Sequence, residues 1–442
     1  MNSNVRSIKK TQEIADRPER YSYSTTIIRI ALLLYSCVSR GVARILSVLS
    51  NELGFKKTPH FTTIRRWVLK RGYYQFAHRT FEKAKDWCAI FDLTVEVGAL
   101  KCLLVLGMRL QSLKDRDCFN ISHHDTEVLG IYFTTNFTGK FVNASLKDAE
   151  KKIENPFTCL VLDQGSDVTK GASIYQSNSK QTIVVHDISH KIAIILEREL
   201  KNDPKWKIFC DHLSSTKLKV QQTTHLAALM PPKLRSKTRY MSADVLMNLV
   251  ERFQNSKKMG CMDSIPQNRL DEYFGWLEHF TIHIKIWKQM IAIGEIVKSV
   301  IAKEGFSHKS YQKLGDFLDE QFSDPALKVI NFIDAAMNAV WDEVEQLKAK
   351  QVVIGDSRVI ESVFGKFKQS NSSQLQGITI GALGIATFMA SNKREDVKES
   401  MEGSTIGELI KWGKEHIGNS LASIRCKYFP PNKRNKNSES LG

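Results

Sequence analysis

The chain has no cysteines spaced as CxxC; its eight cysteines are scattered singly from Cys37 to Cys426, and several, such as Cys88, Cys102 and Cys159, sit in apolar runs. That distribution excludes a disulfide frame and a cysteine zinc site, and predicts free buried thiols in a reducing compartment. Long apolar runs are missing too. The longest uncharged ones, Ile30–Ser39 and Gly377–Ser391, fall short of the roughly 18 residues expected of a spanning helix. The opening MNSNVRSIKKTQEIADRPER holds no apolar stretch, so no signal peptide is expected. Proline and glycine are sparse, 10 and 24 of 442 residues, and 42% of residues are hydrophobic, which excludes a collagen-like or largely disordered chain. The length suits two to four domains. Acids are outnumbered by bases, 47 against 64, leaving a net charge of +17. An excess of that size fits a polyanionic partner: nucleic acid first, an acidic membrane surface second.

Acids are scarcest near the N-terminus. Residues 1–86 hold 17 Lys and Arg against six Asp and Glu, a net of +11. A second basic cluster, KYFPPNKRNKN, reads as part of a flexible tail over residues 426–442. Within the first segment, Thr25–Val38 and Gly41–Leu53 have the apolar spacing of helices, and KKTPH at 56–60 reads as a turn. Phe61–Arg71 reads as a third helix, with Thr62 as its N-cap and Gly72 just past its end. Helix, helix, turn, helix matches a helix-turn-helix DNA-binding domain over residues 1–85. Thr63, Arg65, Arg66 and Lys70 are then available to a major groove or to phosphates. An ordinary helical bundle with a basic surface is the competing reading.

At Asp86 the pattern turns strand-like. Asp86–Asp92, Leu100–Leu110, Glu127–Thr134, Phe157–Leu162 and Thr182–His186 read as strands, and Asn143–Ile153 and Ile188–Leu200 as helices. Three strands in series, then alternating helix and strand, predict a mixed α/β sheet. Asp92 and Asp163 each end an apolar strand. On adjacent parallel strands they would lie side by side, where like charges raise each other's pKa unless a cation intervenes. Hard carboxylate oxygens select Mg²⁺ or Mn²⁺. Glu96, Asp125, Glu127, Asp167 and Asp187 are nearby alternatives; Asp163 is preferred to Asp167 because it directly ends its strand. A third acid lies far along the chain. Ile354–Lys368 reads as a helix with Arg358, Glu361, Gly365 and Lys368 on one face, a carboxylate for metal and two cations for phosphate. A salt-bridged surface helix is the plain alternative. His123–Asp125 lacks further spaced ligands for a metal, and His186 and His190 fit capping or packing.

With these three acids the chain resembles the DDE transposases of bacterial insertion sequences, which have a ribonuclease-H-like catalytic core. The resemblance spans roughly residues 60–390 and rests on Asp92 in IFDLTVEVG, Asp163 in LVLDQGSDVTKG and Glu361 in RVIESVFGKFK, with VHDISHK and GITIGALGIATFM in support. In one group of these enzymes the glutamate helix also carries a lysine seven residues on, which Lys368 matches. The group's arginine, four before the glutamate, has its counterpart in Arg358 at three before, and its tyrosine position is Ile354. The 198 residues between Asp163 and Glu361 imply an inserted domain. Its helical spacing, as in MSADVLMNLVERFQ and NFIDAAMNAVWDEVEQLKAK, is closer to hAT-type enzymes than to those with a β insertion.

The expected architecture is α/β plus α. A helix-turn-helix domain covers 1–85, a ribonuclease-H-like core covers 86–200 and 353–425, a mostly helical insertion covers 201–352, and a basic tail covers 426–442. The resemblance implies binding of terminal inverted repeats and Mg²⁺-dependent strand cleavage and transfer. Two Mg²⁺ ions, or Mn²⁺, would be held by Asp92, Asp163 and Glu361, with Arg358 and Lys368 on phosphates. The implied partners are double-stranded DNA, as transposon ends and target, and a second copy of the chain, with no membrane, in the bacterial cytoplasm at the nucleoid. Trp276, Trp287 and Trp341 either stack on an extruded base or serve as core aromatics. Two other classes remain open. One is a non-catalytic, transposase-derived DNA-binding protein or regulator. The other is a compact ribonuclease-H-like nuclease, against which the long insertion argues.

Overall fold

The computed structural model describes residues 16–38, 41–50, 57–95, 98–116, 118–223, 226–231, 243–258, 267–371 and 378–429. Five strands form one mixed sheet: β1 (Trp87–Val95), β2 (Lys101–Arg109), β3 (Glu127–Thr134), β4 (Cys159–Leu162) and β5 (Ile183–His186). Their order is β3-β2-β1-β4-β5. β2 pairs antiparallel with both β1 and β3, and β1 pairs parallel with β4. β2 is buried from Cys102 to Met108, so its apolar run is continuous, as in a strand covered on both faces. All five lie close to the runs expected from sequence. One boundary differs with consequence: β1 does not end at Asp92 but continues to Val95, because β2 pairs with it along its full length.

Strand alternation builds the main core. Trp87, Ala89 and Phe91 of β1, Leu103 and Val105 of β2, Leu129 of β3, and Leu160 and Leu162 of β4 share one cluster. Two helices cover it, Gly139–Ile153 through Val142, Leu146, Ala149 and Ile153, and Ser166–Asn178 through Val168, Ala172 and Tyr175. The three- and four-residue spacings are those of a single helix face. Thr138 caps the first of these helices by accepting from Phe141 N. Each buried Val, Leu or Phe contributes about 1.5–3 kcal/mol.

Contacts divide the chain into two compact units: Met1–Arg116, Ile121–Val184 and Ser357–Gly442 in one, Asp117–Asn120 and Val185–Asp356 in the other. In the first unit, helices Thr25–Val38, Val42–Leu49 and Phe61–Ala77 form where expected. They pack on one another, and a further helix adds to their core. Ile28, Ala31, Leu32, Val42, Leu46, Ile64, Trp67 and Val68 are joined by Val397 and Met401 of helix Arg394–Glu402. Residues 1–85 fall in the same compact unit as most of the sheet. Two local expectations also change. The third helix runs through Gly72, whose position is set by packing: a Cβ there would stand 1.9 Å from Leu383 O. Its N-cap is His60, whose Nδ1 accepts from Thr62 N at 3.3 Å, and not Thr62. At the other end, helix Leu421–Tyr428 takes up the start of the expected tail, and residues 430–442 lie outside the described ones.

The second unit is helical after β5, as the insertion was expected to be: Ile188–Lys201, Pro204–Gln221, Ala243–Lys258, Gln267–Phe274, Thr281–Glu304, His308–Gln321 and Leu327–Val344, with short 3₁₀ turns. Its division begins at Val185 rather than at residue 201. An ion cluster ties two of these helices together. Lys191 Nζ lies 2.5 Å from Glu343 Oε1 and donates to Ala339 O at 3.0 Å, and His186 Nδ1 is 3.2 Å from the same carboxylate. Among the described cysteines none is in a disulfide, and Cys37 and Cys426 are exposed. Among the described residues no helix is long and apolar enough to cross a membrane.

Candidate active site

The parallel pairing of β1 with β4 matches Cys88 with Cys159, Ala89 with Leu160 and Ile90 with Val161. Continued by two residues, the same register sets Asp92 level with Asp163. Neighbouring strands are about 4.8 Å apart. Parity fixes the side. Ala89, Phe91, Leu160 and Leu162 face the helix-covered core, so Asp92, within β1, falls on the opposite face, and Asp163 directly follows β4. Both are half-buried. Asp92 Oδ1 accepts from Leu93 N at 2.6 Å, and Asp163 Oδ1 accepts from Gly165 N at 3.0 Å. A Cβ on residue 165 would stand 3.0 Å from that same oxygen, so the DQG turn leaves the carboxylate a cradle that a side chain would fill.

Glu361 returns to this unit from 198 residues downstream. Its helix, Arg358–Asn371, packs against β1, and among the described residues none of its side chains joins the core on the far face of the sheet. The helix begins at Arg358 and not at Ile354, which is fully buried in the preceding extended segment. Val359, Ile360, Val363, Phe364 and Phe367 are buried, whereas Arg358, Glu361, Gly365 and Lys368 are exposed. One face thus presents the four residues the helical spacing put together. A Cβ at Gly365 would meet no heavy atom within 4 Å, which leaves the middle of that face open.

Three of the competing acids have partners of their own. Asp187 is fully buried and caps helix Ile188–Lys201, accepting from Ser189 N at 2.6 Å. Asp125 accepts from Ser122 and pairs with Arg116 at 2.7 Å, and Glu127 pairs with Arg79 at 2.8 Å. Asp167 lies in the first turn of helix Ser166–Asn178, where a negative charge suits the helix dipole. Glu96 lies outside the described residues. Asp92, Asp163 and Glu361 supply hard carboxylate oxygens, a donor set suited to Mg²⁺ or Mn²⁺. Among the described residues no three His, Cys, Asp or Glu side chains are close enough to hold one ion.

The N-terminal basic residues separate into two groups. Arg65 and Arg66 are exposed and Thr63 is half-buried, near the start of helix Phe61–Ala77. Lys70 is only 7% exposed. Its Nζ donates to Tyr21 Oη at 2.7 Å and to Met401 O at 2.6 Å, and burial lowers its pKa. It is therefore a buried tie to the C-terminal segment and not a groove-facing lysine. Arg71 is fully buried beside it and donates to Ser391 O; burial pushes its pKa down to about 10.

The tryptophans divide likewise. Trp287 is 1% exposed and donates to Asp203 Oδ2 at 3.1 Å, while Trp276 donates to Thr216 Oγ1 at 3.0 Å and stacks on His212. Trp287 is thus a core aromatic of the second unit, whereas Trp276 is half-buried. Trp341 is 39% exposed against Tyr311. One contact had no signal in the sequence: His123 Nε2 is hydrogen-bonded to Ser362 Oγ at 3.2 Å, across 239 residues. Compared with protein-family models and with curated proteins, the chain matches none.

Proposed function

We propose that this chain is a DDE-type DNA transposase with a ribonuclease-H-like core, which binds the terminal inverted repeats of an insertion sequence and catalyses strand cleavage and transfer. The observation that supports the reading is the parallel pairing of β1 with β4 next to Asp92 and Asp163, the latter directly following β4, with the helix of Glu361 packed against β1. Two Mg²⁺ ions held by Asp92, Asp163 and Glu361 would supply Lewis acidity to an in-line phosphoryl displacement, with Mn²⁺ able to substitute. The chain's own groups do the positioning. Arg358 suits a two-pronged grip on a phosphate and Lys368 a point contact on the next. Arg65 and Arg66, with Thr63, meet the duplex at the start of their helix, the end that reads base edges in helix-turn-helix proteins. Joining two transposon ends and inserting them in target DNA calls for two copies of the chain, working on chromosomal DNA in the cytoplasm.

The test is metal-dependent nicking of a plasmid carrying inverted repeats from the DNA flanking the gene. Asp92→Asn, Asp163→Asn and Glu361→Gln are expected to abolish cleavage and leave DNA binding intact. Near-normal cutting by any of the three removes that residue from the site. A second reading, a non-catalytic transposase-derived DNA-binding protein or regulator, gives a different outcome in the same assay. On that reading the wild-type chain binds the repeats and never cuts them.

A further inference from the structure

Helix Leu421–Tyr428 leaves every described side chain in solvent. Its ends are closed locally: Ser420 Oγ accepts from Ser423 N at 3.1 Å, and Phe429 N donates to Arg425 O at 2.7 Å. Leu421, Ile424 and Tyr428 fall within about 60° of one another around the axis, a spacing that ordinarily marks a buried face. Here that face is bare. Tyr428 is 72% and Phe429 76% exposed, more than any other Phe, Tyr or Trp among the described residues. Arg425 stands about 40° from Leu421 on the same side, and Lys427 directly precedes the two rings. Between Glu415 and Glu439 the sequence holds no acid, while Arg425, Lys427, Lys433, Arg434 and Lys436 give it five positive charges. The helix starts beside the sheet: a Cβ on Gly98, between β1 and β2, would stand 3.6 Å from Leu421 Cδ1. Gly98 follows Asp92 by six residues, so the two lie at most about 22 Å apart.

Exposed apolar side chains gathered on one side and rimmed by charge mark a binding surface. A second copy of this face would set five positive charges against these five. A membrane surface takes a helix whose cations lie opposite its apolar side, and Arg425 breaks that separation. Cations interleaved with exposed rings match one strand of nucleic acid. Its phosphates meet the Lys and Arg, and its unstacked bases lie on the rings, a contact that a paired duplex denies. We propose that helix Leu421–Tyr428, with Phe429, is a docking surface for unpaired DNA on the flank of the candidate site. Arg425 and Lys427 hold phosphates, and Tyr428 and Phe429 stack on bases. The surface rests on the DNA-binding part of the proposed function and not on catalysis.

Fluorescence anisotropy of labelled oligo(dT) with the full chain, in EDTA across a salt series, tests it, with a blunt duplex of equal length as the second probe. Each base stacked on an aromatic side chain contributes about 5- to 150-fold in affinity. Tyr428→Ala with Phe429→Ala is therefore expected to weaken oligo(dT) binding roughly 25-fold or more. The salt slope, the duplex affinity and the melting temperature should not move, because both rings are exposed. Tyr428→Trp with Phe429→Trp should bind at least as tightly as the wild type. Arg425→Gln with Lys427→Gln should lower the slope of log affinity against log salt by about 1.4, at about 0.7 for each phosphate contact on a single strand. An alanine pair that binds oligo(dT) like the wild type, or that loses duplex binding in equal measure, overturns the proposal. So does an alanine pair that keeps oligo(dT) but no longer co-sediments with phosphatidylserine–phosphatidylcholine vesicles, which gives the surface to a membrane. Ring-dependent strand binding by a chain that never cuts DNA keeps this surface and loses the transposase; cutting without ring-dependent binding does the reverse.

Discussion

Two glycines inside helices, Gly72 and Gly365, should respond to alanine with opposite sign. At Gly72 a Cβ would stand 1.9 Å from Leu383 O, 2.7 Å from Leu383 C and 3.1 Å from Thr387 Oγ1. Two of those atoms are backbone, so no rotamer change relieves the clash and the two segments must part. Overpacking of this kind costs about 1–3 kcal/mol. Parting also strains the bond from Thr387 Oγ1 to Val68 O, 2.6 Å long, with a net contribution of about 1 kcal/mol. The better helix propensity of alanine returns about 1 kcal/mol. Gly72→Ala is therefore expected to destabilise the chain by about 2 kcal/mol. At Gly365 nothing lies within 4 Å, so only the propensity gain of about 0.8–1.0 kcal/mol remains. Urea unfolding of both variants and the wild type, with m-values compared, reads the two signs. If Gly72→Ala proves as stable as the wild type, helix Phe61–Ala77 does not approach Leu383 and the packing argument fails. Gly365→Ala carries a second readout: the sturdier protein should cut DNA poorly, because the added methyl fills the open middle of the Arg358–Lys368 face.

Arg65→Gln and Arg66→Gln should each lower the salt slope of duplex binding by about 0.9, while Lys70→Met leaves that slope unchanged and lowers the melting temperature; a slope that follows Lys70 would contradict its burial. Glu343 offers a pH test. Burial alone would raise its carboxyl, but hydrogen bonds from His186 and Lys191 outweigh that and hold it below the usual 4.5. A depressed acid contributes stability that is full above its unfolded value and is lost as pH falls through the folded one. Thermal melts of Glu343→Gln should therefore show a flatter loss below pH 4.5 than the wild type. At neutral pH the variant should be destabilised by about 3 kcal/mol, since Lys191 keeps a buried charge; coincident acid limbs would remove Glu343 from the account.

The strands were legible because each apolar run reports its own burial, as the unbroken stretch in β2 does. The exposed face of the glutamate helix was legible for the same reason: Arg358, Glu361, Gly365 and Lys368 are spaced by the helix itself. What stayed hidden was decided by partners remote in sequence. Ile64, Trp67 and Val68 announce one buried side of their helix. Lys70, Arg71 and Gly72 are buried by a second layer, from Leu383 to Met401, that no local pattern encodes. Gly72 reads as a helix end because glycine has two uses, and only the neighbouring backbone tells them apart. His123 meets Ser362 only once the sheet and the distant helix are assembled.

The bundle that joins Ile28 and Trp67 to Val397 and Met401 sets an order of events during synthesis. A ribosome adding about 5–20 residues per second needs roughly 15–70 s to travel from the first part of that bundle to the last. Throughout that interval the nascent N-terminal helices lack the residues that seal their apolar side. The segment carrying Arg65 and Arg66 becomes a finished surface only once Val397 and Met401 have been made and have joined the bundle.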